Sequence, residues 1–171
     1  APPADIAYDH TPDEQTALSQ FLDVHRLEFR RRAWGLDAGQ LATTVAASSL
    51  TLAGLLKHMA LVEHSWFEHR FAGMDEREPW VSVDWDNDPD WEFRTAVDDD
   101  PEDLMREFVE ACQHSRAVVD TASSPDQQSK RLDDDGKPWN LRWIMIHMIE
   151  EYARHLGHAD LIREAIDGTT G

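Results

Sequence analysis

The sequence predicts an all-α fold, an antiparallel four-helix bundle with long ordered loops, as one domain over residues 1–171. Three observations predict it. Four stretches carry apolar side chains at three- and four-residue spacing, the period of a helix that buries one stripe. Capping residues or an early proline open them, and glycines follow their ends. No run holds the apolar–polar alternation of a half-buried strand, and no internal repeat is present. Packing four such stripes against one another is the economical way to bury them.

The first helix follows Thr11-Pro12, with Asp13 and Glu14 in its first turn. It runs through Leu18, Phe21, Leu22, His25 and Phe29 to a stop at Trp34-Gly35-Leu36. Residues 37–49 hold at most one short helical turn. Thr51 caps a second helix over 52–71, which Gly73 ends. Asp100 caps a third, with Pro101 as its first helical residue, reaching about Ala122. Asn140 caps the fourth, Leu141 to Ile166, and Gly168 closes it. Two long connections remain. Residues 75–99 carry Trp80, Trp85, Trp91 and many acids, and are expected to pack in order on the helices. Residues 123–139 are polar, with the turn pair Asp135-Gly136.

Charge narrows the function classes. Sixteen Lys and Arg face 34 Asp and Glu, a net charge of −18. A nucleic-acid binder draws its affinity from basic side chains on phosphates, so no nucleic-acid partner is expected. An anionic membrane surface is disfavoured for the same reason. No apolar run reaches the roughly 18 residues of a membrane-spanning helix. The first ten residues lack the basic and apolar regions of a signal peptide, and the expectation is a cytoplasmic protein, monomer or homodimer. A single cysteine, Cys112, excludes an intramolecular disulfide and a cysteine-rich zinc cage. Nine histidines are the unusual feature.

Sorting those histidines by helix face separates them. On the fourth helix Ile144, Met148, Ile162 and Ile166 form the stripe, and Glu151 and His155 fall inside it, one turn apart. A carboxylate in an apolar stripe is costly unless paired or bound to a cation. His147 and His158 flank that stripe. On the second helix Leu52, Leu55, Met59, Val62 and Trp66 form the stripe. His58 sits at its edge, His64 on the opposite side, and His69 near the His58 side further along. Glu110 and His114 of the third helix repeat the Glu-x-x-x-His spacing on the outer face and serve as an inert comparison. On the first helix His25 and Arg32 share the face of Leu18, Phe21 and Phe29, either lining a pocket or bonding neighbouring loops. His58, Glu151 and His155 could thus form a metal site of two nitrogens and one carboxylate with an open fourth position. The alternative is a buried Glu–His pair with His58 unrelated to it. The Glu-x-x-His pairs of di-iron bundles and the His-Glu-x-x-His of zinc proteases are absent.

The stretch from Thr51 to Phe67, TLAGLLKHMALVEHSWF, resembles the second helix of the DinB-like (YfiT-like) superfamily. LRWIMIHMIEEYARHLGHADLIREAIDG, Leu141 to Gly168, resembles its most characteristic segment. Together they resemble a branch of unknown function related to mycothiol-dependent S-transferases and maleylpyruvate isomerase. The resemblance spans about Asp13 to Gly171. It implies a four-helix bundle holding a divalent metal by one residue of the second helix and two of the fourth. Many members use three histidines, whereas the isomerase uses His, Glu and His, matched here by His58, Glu151 and His155.

The implied activity is thiol S-transfer, with mycothiol or a related thiol activated as a metal-bound thiolate for attack on an electrophile. Zn²⁺ is the first expectation for the metal, with Ni²⁺ or another divalent ion as alternatives. A metal holds a thiol as thiolate, although a free thiol near pKa 8.5 is mostly protonated at neutral pH. Trp66, Trp139 and Trp143 are candidate walls for the substrate, and His158, His147 and His25 candidates for supporting the ligands or meeting the substrate. Cys112 is expected to pack rather than react. The competing readings are a metal-dependent hydrolase that uses metal-bound water and a non-catalytic metal-binding stress-response protein.

Overall fold

A computed structural model describes residues 3–170. Ala1, Pro2 and Gly171, included in the domain read over the whole chain, lie outside the described residues. The fold is mostly helical with one small two-stranded sheet. Helix α1 spans Glu14–Ala33, α2 Ala38–Leu41, α3 Leu52–Glu63, α4 Trp91–Thr95, α5 Pro101–Asp120 and α6 Leu141–Asp167. Strands β1, Gln128–Leu132, and β2, Pro138–Asn140, lie between α5 and α6. No helix among the described residues is long and apolar enough to cross a membrane.

Helix ends fall where side chains satisfy free backbone amides. Thr51 accepts from the Gly54 amide at the start of α3, Asp100 from Glu102 at α5 and Asn140 from Trp143 at α6. Asp13, expected inside the first turn, instead caps α1 by accepting from the Thr16 amide. Gly168 closes α6 in the left-handed conformation, φ 77°, which costs glycine little. The single turn expected within 37–49 is α2, held by an Asp37–Gln40 capping box.

Helix α1 packs on α6 and α3 on α5. Leu22, Phe29, Leu55, Leu56, Met59, Phe67, Phe108, Ile144, Met148 and Tyr152 are among the buried core. Three expectations need correction. The inward face of α1 carries Leu22, Arg26, Phe29 and Ala33, while Phe21 is 50% exposed, so the core-facing stripe is rotated from the one expected. The second long helix is not uniformly α: from His64 to Phe71 it continues as a π-helix. His64, placed on the side away from the stripe, is buried there with Nδ1 3.2 Å from Glu68 Oε1.

The third correction concerns residues 123–139, where no strand is expected. β1 and β2 pair antiparallel, Gln128 opposite Asn140 and Leu132 opposite Pro138. Asp133 and Gly136 close the turn. Only Ser129 of β1 is buried and Leu132 faces out, so no apolar alternation marks the strand. The hairpin packs on the π-helical turn, where Arg131 donates to the carbonyls of His69 and Met74.

The 75–99 connection is ordered, as expected. Two 3-10 turns, Trp80–Ser82 and Ala96–Asp98, flank α4, and Trp80 is fully buried. Lys57 of α3 anchors it by donating to Thr95 Oγ1 at 2.9 Å and Asp99 Oδ2 at 2.6 Å, with its ammonium 4.1 Å from the Trp91 ring centroid. Gly54 lets it dock closely, since a Cβ there would stand 3.1 Å from the Phe93 ring.

Candidate metal centre

Helices α3 and α6 run antiparallel along a shared seam. The His58 ring lies 4.9 Å from His155, and two turns further along the chain Trp66 lies 4.7 Å from His147. As one helix advances, its neighbour on the other recedes. Glu151 precedes His155 by one turn and shares its face, so both point to the seam opposite His58. One donor atom from each of His58, Glu151 and His155 lies within 4.8 Å of the other two. The three side chains are 17%, 18% and 11% exposed, so each keeps some contact with solvent.

The surroundings fix what each donor offers. His58 Nδ1 donates to Glu92 Oε1 at 3.0 Å, because an ionised carboxylate only accepts. The Nε2 lone pair of His58 is thereby left for another partner, and Phe93 stacks on the ring at 4.7 Å. Burial, reinforced by His58, His158 and Arg154, lowers the His155 pKa to about 4. His155 is therefore neutral at neutral pH, and its 3.4 Å approach to Glu151 Oε2 is not an ion pair. Its Nδ1 meets His158 Nδ1 at 3.5 Å. Two imidazoles and one carboxylate, converging with no Lys or Arg bonded to Glu151 among the described residues, are chemically suited to a divalent cation.

The other sequence candidates divide. His158 touches His155. His147, Trp66, Trp139 and Trp143 form a separate aromatic cluster further along the same seam. The Trp66 ring is 5.4 Å from both Trp139 and Trp143, and His147 stacks on Trp143 at 5.1 Å. His25 bonds the Phe21 carbonyl of its own helix at 2.7 Å and lies outside the three-residue group. Arg32 bridges α1 and α6 by donating to Asp160 at 2.5 Å, a link between helices rather than a pocket wall. His114 is 52% exposed, as expected of the comparison pair.

The profile of the family described as Mycothiol-S-transferase matches residues 17–168, which include all three donors and the aromatic cluster. The chain belongs to the mycothiol-S-transferase family. That family lies within the DinB-like superfamily. No curated protein matches the sequence. A solved structure titled as the conserved protein of locus from Enterococcus faecalis is similar, with a TM-score of 0.70 and 14% identity over 93% of this chain and 100% of that one. At that identity the likeness speaks for the fold alone.

Two buried arrangements in this mycothiol-S-transferase family member carry no periodic signal that the sequence analysis used. Glu92 sits on α4, a helix of five residues that is too short for periodicity to report its direction. The second is a buried network. Glu63, fully buried, accepts from Arg26 Nε and Nη2 at 2.7 Å each and from Tyr152 Oη at 2.6 Å. Cys112 Sγ lies 3.7 Å from Glu63 Oε1. A signal existed here: Glu63 follows Met59 by one turn in the apolar stripe, and Arg26 follows Leu22 in the same way.

Proposed function

We propose that this chain is a metal-dependent thiol S-transferase, an antiparallel four-helix bundle in which His58, Glu151 and His155 hold one divalent ion, Zn²⁺ in the first place. The observation that carries the reading is the convergence of these donors in a partly open site without a protein nucleophile among them. A cation bound there supplies Lewis acidity that favours the thiolate form of a bound thiol at neutral pH.

The chain's own residues perform the rest. Glu92 keeps the proton on His58 Nδ1 and so aims Nε2 into the site. Glu151 brings the one formal negative charge of the three, so a dication and a single thiolate would leave the partly buried site neutral. Trp66, Trp139, Trp143 and His147 offer flat faces along the same seam to hold the thiol's sugar portion or the electrophile. In the reaction the thiol sulfur forms a bond to the electrophilic carbon, and the thiol proton departs with the displaced group. Cys112 does not compete as nucleophile: burial, with Glu63 beside it, pushes its thiol up to about 12. We read the protein as cytoplasmic, a monomer or homodimer acting on small molecules, with mycothiol as cosubstrate in keeping with the family.

Cobalt-substituted protein titrated with mycothiol tests this. A thiolate-to-metal charge-transfer band is expected, with consumption of the thiol when a bimane electrophile is added and loss of both in Glu151→Ala. An unchanged cobalt spectrum at saturating thiol, together with thiol-independent cleavage of esters, would decide for a hydrolase.

A further inference from the structure

Glu92 is 4% exposed and belongs to α4, inside the connection that docks on α3. One of its carboxylate oxygens bonds His58, and the other, Oε2, is buried without a hydrogen-bond partner. A buried carboxylate with one partner is costly. Lys57, next to His58 in sequence, does not neutralise it, because its ammonium is directed to Asp99 and Thr95. Among the described residues neither Glu92 nor Glu151 pairs with Lys or Arg; each carboxylate faces an imidazole. Two carboxylates thus flank two imidazoles, with no Lys or Arg between them among the described residues.

We propose that Glu92 is a positioning residue for the metal centre, and that cation binding is thereby coupled to docking of residues 75–99 on α3. This rests on the reading of His58, Glu151 and His155 as metal ligands. Glu92 fixes the His58 tautomer and ring orientation and, through its charge, strengthens Nε2 as a donor. The docked segment is what brings Glu92 there. Lys57 holds Asp99, Thr95 and the Trp91 face, Gly54 admits Phe93, and Phe93 stacks on His58 itself. Two adjacent residues of α3 therefore grip the same segment, one by a salt bridge and one through a prospective ligand. By linkage, whatever favours docking favours the cation, and the cation favours docking by the same factor.

Zn²⁺ affinity, measured by competition with a chromophoric chelator, separates the possibilities when combined with urea stability of the metal-free protein and hydrogen exchange over residues 80–99. Glu92→Gln should bind Zn²⁺ about 10- to 100-fold more weakly, the range typical of such supporting groups. Its metal-free stability should not fall, since the change removes a buried charge and keeps the shape. Asp99→Asn, which loosens the Lys57 anchor without touching the ligands, should weaken Zn²⁺ binding by a smaller factor. Zn²⁺ should slow exchange over 91–99 in the parent protein. Wild-type protein that takes up no Zn²⁺ would overturn the ligand reading and this inference with it. Wild-type binding with equal affinity in Glu92→Gln overturns the positioning role alone. Weaker binding in Glu92→Gln with no change in exchange on adding Zn²⁺ overturns the coupling alone.

Discussion

Replacing Arg26 with Met should be among the most damaging single changes in the chain, although Arg26 bonds neither the His58–Glu151–His155 group nor the aromatic cluster. Arg26 is 4% exposed and Glu63 fully buried. The change removes two charge-assisted bonds to Glu63 and one to Asp23 at 2.9 Å. Asp23 keeps Arg116 as a partner at 2.8 Å. Glu63 keeps only the Tyr152 hydroxyl and the weak Cys112 thiol. Burial alone would lower the Arg26 pKa, but the Glu63 carboxylate reverses this and holds it above its ordinary value, so the pair is ionised. Stranding one charge of such a pair costs about 3–5 kcal/mol. At about 2–4 °C per kcal/mol for a chain of this size, the melting point should fall by roughly 6–20 °C. Urea unfolding of Arg26→Met, Glu63→Leu and the double variant measures the effect. The double variant should recover much of the loss, because it strands no charge. The network adjoins the site, since Tyr152, bonded to Glu63, follows Glu151 on α6. A loss below about 1 kcal/mol in Arg26→Met, or a double variant as unstable as the single one, would refute the reasoning.

Alanine at His58, Glu151 or His155 should abolish stoichiometric metal in tag-free protein, while His114→Ala retains it; elemental analysis reads both outcomes. Cys112 should resist iodoacetamide at pH 8. Burial pushes its thiol up to about 12 from an ordinary value of 9.0, which lowers the thiolate fraction by about three orders of magnitude before shielding is counted. The unfolded chain ionises at the lower pKa and the native one at the higher. The stability this group contributes is therefore complete below pH 9 and lost as pH rises toward 12, which alkaline urea titrations of the parent and Cys112→Ala would show.

The parts of the fold legible in the sequence are those that local chemistry decides. Thr51, Asp100 and Asn140 cap their helices because a short polar side chain can reach an unsatisfied amide two or three residues on, whatever the tertiary context. Strands β1 and β2 were illegible for the opposite reason: they are short and polar, and they are ordered by docking on the π-helical turn. The α1 face departs from its apolar pattern because Arg26 takes a core position against the buried Glu63 while Phe21 turns outward.

The site follows the same division. His58, Glu151 and His155 could be picked out because helical periodicity reports where a side chain points, whereas Glu92 lies on α4, too short for a period to show. A charge inside an apolar stripe identifies two places here, Glu63 on α3 and Glu151 on α6, and the stripe alone does not tell them apart. Charge balance does. Glu63 meets Arg26 in a bidentate pair, so the protein supplies its own cation and the arrangement is complete as a structural tie. Glu151 meets a histidine that burial keeps neutral, and Glu92, behind His58, has no Lys or Arg partner among the described residues. Glu63 thus has its counter-cation within the chain, whereas among the described residues Glu151 has no Lys or Arg partner.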